Sequence, residues 1–130
     1  WMGTRFIAST EAHAGDMYKQ VVVDATDEDT IITRSYSGKP MRVFKNDYVA
    51  DWERRPADIK PFPMQAMISV QAGVMGGIGG QIEGLNRDRS AFAIGQGSGA
   101  IHDILPCAEI VARIMADAEA IIGRMAKLKG

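Results

Sequence analysis

The chain has little with which to build a metal centre or a disulfide framework: one cysteine, Cys107, and two histidines, His13 and His102, in 130 residues. A lone cysteine excludes an internal disulfide, and Cys107 stands in an apolar helical pattern away from either histidine, so a reduced, cytoplasmic setting is expected. Neither histidine has a partner at the spacing zinc requires, so no metal is expected. Charge of one sign is also missing. Fifteen basic residues face sixteen acidic ones, the net charge is -1, and neither sign forms a block, which argues against a nucleic-acid partner. No apolar run approaches the roughly 18 residues of a membrane span, and the first residues lack the basic-then-apolar order of a secretory signal. A soluble protein, with no membrane partner and no internal repeat, is expected.

What remains is 46% hydrophobic, enough for a core. Trp1-Met2-Gly3-Thr4-Arg5-Phe6, followed by Ile7-Ala8, reads as the carboxyl end of a buried parallel strand, where backbone amides and a small hydroxyl can meet a phosphate. Ser9 to His13 supply a turn. Met17, Tyr18, Val21 and Val22 predict a helix over 16–23, and 25–29 is a polar connector. Two β-branched and aromatic runs, 30–36 and 40–45, flank Ser37-Gly38-Lys39 and predict a hairpin, with Pro40 confining the second run to an edge.

Residues 46–63, punctuated by Pro56, Pro61 and Pro63, form a connector with a short helix about 48–55 anchored by Tyr48 and Trp52. Met64, Met67, Ile68, Gln71 and Met75 keep a helical period that weakens at Gly73, Gly76, Gly77, Gly79 and Gly80. The final helix is the most regular. Ile110, Ile114, Ala118, Ile121 and Met125 form its stripe, Val111, Met115 and Ile122 widen it, and charged residues from Glu109 to Lys127 take the other side. Asp103 is positioned to cap it, with Pro106 in the first turn.

Few residues are candidates for chemistry. Gly3-Thr4 is the first, because glycine lets a phosphate approach the backbone while a threonine amide and hydroxyl donate to it. The second is Ala93-Ile94-Gly95-Gln96-Gly97-Ser98-Gly99-Ala100-Ile101, where the glycines permit close approach and the Gln96 amide both donates and accepts. The glycines of 76–80 lack the Lys-Ser/Thr of a P-loop and a preceding strand, so a phosphate site is not expected there. Tyr36 reads as packing ahead of a substrate-mouth residue. Arg5 is expected to pair with a carboxylate or carbonyls.

Met2-Gly3-Thr4-Arg5-Phe6, then Ser37-Gly38-Lys39-Pro40 with Arg42 and Asn46, then the segment around Gln96 resemble, in this order, the C-terminal part of the FMN-dependent nitronate monooxygenases. That family was once called 2-nitropropane dioxygenases; the FMN-containing enoyl-acyl-carrier-protein reductases are its near relatives. The resemblance covers about 2–125. It implies an α/β fold: the C-terminal fragment of an FMN-binding TIM barrel plus a mostly helical subdomain with a short hairpin. Residues 1–25 would be the last barrel strand and helix, 26–102 the subdomain, and 103–130 a C-terminal helix packing back on the barrel.

A complete barrel needs roughly 250 residues, so by this reading most of it lies upstream of Trp1. The resemblance assigns the FMN phosphate to Gly3 and Thr4. Gln96 either fixes its loop or contacts flavin or substrate. In the family a histidine on an earlier strand handles the substrate proton, and neither histidine here matches it, so no catalytic residue is expected in this chain, which alone would be inactive. The implied substrates are an alkyl nitronate and dioxygen, and self-association is open. The alternatives are an FMN-dependent enoyl reductase or an NAD(P)H:quinone reductase-type relative and, from another class, a helical interaction domain without flavin.

Overall fold

The hairpin forms where β-branched residues concentrate. In a computed structural model, which describes residues 2–128, β1 (Thr30–Thr33) and β2 (Met41–Phe44) pair antiparallel, with Ile31 opposite Val43 and Ile32 opposite Arg42. The connection turns at Gly38, whose φ of 82° suits glycine. Space there is equally restrictive, since a methyl at Gly38 would come within 2.5 Å of the Lys60 carbonyl oxygen.

Helix α3 (Asp47–Glu53) follows the hairpin because Asn46 caps it, its Oδ1 accepting the Val49 amide at 3.1 Å. The same side chain donates through Nδ2 to the Ser90 carbonyl at 2.9 Å. One residue thus starts a helix and ties it to a distant strand-like segment. Tyr36, Val43, Tyr48, Val49, Val74 and Ala91 form one buried cluster, in which the Tyr36 and Tyr48 rings stack at 5.0 Å. The Tyr36 hydroxyl donates toward the carbonyls of Arg89 and Ser90 and meets the Asn46 amide, so this aromatic is packing.

Helix α2 (Asp16–Asp24) buries Tyr18, Val21 and Val22, as its period requires, but leaves Met17 exposed. Tyr18, Val21 and Val22 join Ala8, Ala25, Phe92, Ile94 and Ile101 in a second cluster. The two clusters share the segment 91–94. Ala91 donates its amide to the Val74 carbonyl and Phe44 donates its amide to the Phe92 carbonyl, so this extended stretch is a wall of both.

Three expectations are corrected by packing. The barrel strand expected over residues 2–8 is a short helix, α1 (Gly3–Ile7). A strand needs a neighbour for its amides and carbonyls, and the described residues offer it only one parallel bridge, Ser9 with Leu105. Among the described residues the sheet is therefore the antiparallel hairpin alone, and no unpaired barrel ladder arises.

The second correction concerns α4 (Met64–Gln71), whose apolar stripe faces outward. Met64 and Met67 are each 53% exposed, whereas Gln65 and Ser69 are wholly buried. The polar side wins because it has partners. Gln65 Nε2 donates to the Ser35 carbonyl at 2.6 Å, Gln65 Oε1 accepts the Lys60 amide at 3.1 Å, and Ser69 shares a hydrogen bond of 2.8 Å with the Tyr48 hydroxyl.

The third concerns α5 (Cys107–Lys127), which is not capped by Asp103. Pro106 holds the cap position without a side-chain bond, and both carboxylate oxygens of Glu11 accept the Cys107 amide at 2.9 Å. Of the apolar stripe only Ile110 is buried; Ile114 and Ala118 are half-buried, and Ile121, Ile122 and Met125 stand open. The amide of Cys107 and then the hydroxyl of Thr10 hold the Glu11 carboxyl below its ordinary value of 4.5. A depressed value in the folded state means the stabilisation is present above 4.5 and is lost as pH falls through the lowered value. Glu11→Gln should therefore lower the urea midpoint slightly at neutral pH, and the difference from wild type should close on acidification. A constant difference across that range would rule this cap out.

Candidate functional site

Helix α1 and the glycine segment before α5 meet. Thr4 sits in the first turn of α1, and its Oγ1 accepts the amide of Gly95 at 3.0 Å, joining positions 91 residues apart. A methyl at Gly95 would lie 3.4 Å from that oxygen, an ordinary contact, so the bond does not itself require glycine. The next residue fixes the helix from its other side. Arg5 Nη1 pairs with Asp103 Oδ1 at 2.9 Å, while Nη2 donates to the Asp103 and Ala8 carbonyls. Asp103 Oδ2 in turn receives Arg113 of α5 at 2.9 Å. Arg5 thus meets a carboxylate and carbonyls, as expected, and the Asp103 that does not cap α5 clamps it to α1.

These elements enclose an open cavity of about 670 Å³. Its walls are mainly apolar, from Met2, Ile7, Ala93, Ile94, Ile101 and Ile114, with exposed backbone at Gly3, Gly95 and Gly97. Methyl groups at Gly3 and Gly97 would meet nothing within 4 Å, so their missing side chains leave main chain facing open space. Two guanidinium groups, Arg5 and Arg42, complete the polar part, and no carboxylate lines the cavity among the described residues. Arg42 comes from β2 and donates through Nη1 to Thr30 Oγ1 at 3.0 Å. The rear wall is held by Tyr18, whose hydroxyl donates to the Ala93 carbonyl at 2.9 Å and is pushed up to about 12 by burial.

The candidates from the sequence separate here. Gly3 and Thr4 line the cavity. Gln96 opens a 3-10 turn, Gln96–Ala100, and is exposed; its neighbours Gly95 and Gly97 line the wall and Gln96 does not. The glycines of 76–80 lie away from the cavity in turns, and Gly77 is pressed against the Ala91 carbonyl, where a side chain has no room. His13 and His102 are exposed, and no group of three metal-ligating side chains exists among the described residues. Arg42 was legible only as part of a motif, and nothing in the sequence placed it on this cavity.

A family model described as nitronate monooxygenase matches residues 1–117. A probable nitronate monooxygenase of Staphylococcus haemolyticus (strain JCSC1435) is 34% identical over 68 residues, covering 52% of this chain and 19% of the relative. A protein of the same description from Staphylococcus aureus (strain Newman) is 30% identical over 64 residues, which is 49% of this chain and 18% of that protein. Among solved structures, FabK from Thermotoga maritima is similar with a TM-score of 0.76 and 28% identity, covering 95% of this chain and 38% of FabK. Nitroalkane oxidase from Streptomyces ansochromogenes shares the fold with a TM-score of 0.66 at 22% identity, over 93% of this chain and 33% of the oxidase. The chain thus spans well under half the length of the relatives it matches.

Proposed function

Because the chain belongs to the nitronate monooxygenase family, we propose that it is the C-terminal part of an FMN-dependent oxidoreductase that oxidises alkyl nitronates with dioxygen. The observation that carries this reading is the bond between Thr4 and Gly95, which joins the two motif segments on one wall of a cavity with cationic and, among the described residues, no acidic side chains. Such a cavity fits a flavin phosphate. Bare backbone at Gly3 admits the anion, the Thr4 hydroxyl keeps its own proton to donate while accepting from Gly95, and the apolar walls suit a flat ring. Gln96, at the start of its exposed turn, is placed in this reading at the rim, where it meets the bound ligand.

When bound, FMN supplies the redox chemistry, accepting electrons from the nitronate and passing them to dioxygen. This chain's own residues bind and orient. Thr4 fixes the phosphate end, and Ile94, Ile101 and Ile114 exclude water from the apolar part of the cavity. The residue that handles the substrate proton is assigned to barrel sequence outside this chain, with residues 1–25, carrying α1 and α2, at the end of the barrel, 26–102 forming the subdomain and 103–130 packing back on it. The open stripe of α5, with Ile122 67% exposed, supports that last placement.

The likeness to FabK keeps a second reading in view, the reductase in which flavin passes electrons from a nicotinamide cofactor to an enoyl thioester. The test is oxygen uptake by the complete purified protein with ethyl nitronate, set beside oxidation of NADH or NADPH with an enoyl thioester. Nitronate-dependent uptake is expected. Nicotinamide turnover without it would replace the monooxygenase by the reductase, and neither activity in a folded, flavin-free protein would favour the interaction domain.

A further inference from the structure

Arg42 is a half-buried cation that the reading above leaves without a task. Its position is fixed by the hairpin: it lies across from Ile32, on the strand face opposite buried Val43, and the hydroxyl of Thr30 holds its Nη1 at 3.0 Å. That is a neutral partner. No carboxylate stands within ion-pair distance of Arg42 among the described residues. Arg5, the other guanidinium of the cavity, has the Asp103 carboxylate at 2.9 Å and two carbonyls besides. One guanidinium is therefore neutralised by the fold and the other is not.

A guanidinium has five N–H donors in a planar fork, and one of those of Arg42 is used. Partial burial in an apolar wall makes an unpaired charge costly, and a bound anion removes that cost. We infer that Arg42 is an anion-binding residue of this cavity, taking an oxyanion of its ligand. The fork is matched by a phosphate or by the two oxygens of a nitronate or carboxylate. Two sources supply such a group, the phosphate of FMN and the substrate itself. Only the ligand's identity rests on the flavin reading; the anion preference rests on the unpaired guanidinium.

The experiment compares the complete protein with its Arg42→Gln and Arg42→Lys variants. Inorganic phosphate should raise the unfolding midpoint of the wild type and leave that of Arg42→Gln nearly unmoved, with Arg42→Lys between them. FMN and riboflavin, which differ by the phosphate, are then titrated by flavin fluorescence. If the anion is the cofactor's, Arg42→Gln weakens FMN by about 10- to 100-fold and leaves riboflavin unchanged. If it is the substrate's, FMN affinity holds and the KM for ethyl nitronate rises by a similar factor.

A protein that binds no flavin but shows phosphate stabilisation dependent on Arg42 would support this inference and defeat the flavoenzyme reading. Should Arg42→Gln fail to fold, the wild-type NMR resonance of the Arg42 Nε–H decides: it should move on addition of phosphate while that of Arg5 stays. Equal responses of wild type and variants to phosphate, FMN and nitronate, or an unmoved Arg42 resonance, would overturn the assignment.

Discussion

Gln65→Ala should lower the unfolding free energy by about 2 kcal/mol, since it takes the short bond from a buried backbone carbonyl, at about 1–3 kcal/mol, and the acceptor from a part-buried amide. The groups are the Ser35 carbonyl and the Lys60 amide, which a single fully buried side chain satisfies at 2.6 and 3.1 Å. Met67→Lys, two residues along and on the opposite side of the same helix, should change stability by less than about 0.5 kcal/mol, because that face is open to solvent. Urea titrations of the two variants beside the wild type measure both. The reverse order, a silent Gln65 change and a damaging Met67 change, would mean that the methionine stripe packs inward.

That inversion marks where sequence periodicity stopped being informative. A stripe of Met64, Met67 and Ile68 has the period of a buried face, but Gln65 and Ser69 keep the same period one position on, and only the position of Ser35 and Tyr48 decides between them. Those partners lie 30 and 21 residues away. The hairpin was legible because its β-branched residues and Gly38 specify it locally, and α3 because Tyr48 and Trp52 fall within one capped turn. The cap of α5 was not, since Glu11 reaches it across 96 residues. Much of the site was legible for a different reason. Gly3, Thr4 and the segment around Gly95 belong to the motifs from which the proposed site was read, while the role proposed for Arg42 emerges only when the absence of a carboxylate partner among the described residues is seen in three dimensions.

The largest functional effect is expected at Gly3. Gly3→Val should lower FMN affinity by more than about tenfold, a loss of about 1.4 kcal/mol or more, by placing branched carbons where the proposed phosphate approaches the backbone. Its diagnostic value comes from the fold. A methyl at Gly3 meets nothing within 4 Å, and the backbone there is not among the positive-φ glycines, so the chain itself accommodates a side chain. Loss of flavin with an unchanged unfolding midpoint therefore reports on the site. Thr4→Val is the companion change. It keeps the shape, removes the acceptor for the Gly95 amide, and should cost about 1 kcal/mol of stability together with part of the flavin affinity. Retention of FMN at wild-type affinity by Gly3→Val would move the phosphate away from α1.

The central claim is that this cavity belongs to an FMN enzyme, and its most direct test is the visible absorption spectrum of the complete protein, expressed with the reading frame extended upstream of Trp1. Flavin bands in the purified protein, released on denaturation and identified as FMN, are the expected result. A colourless, stably folded protein that takes up no added FMN would contradict it.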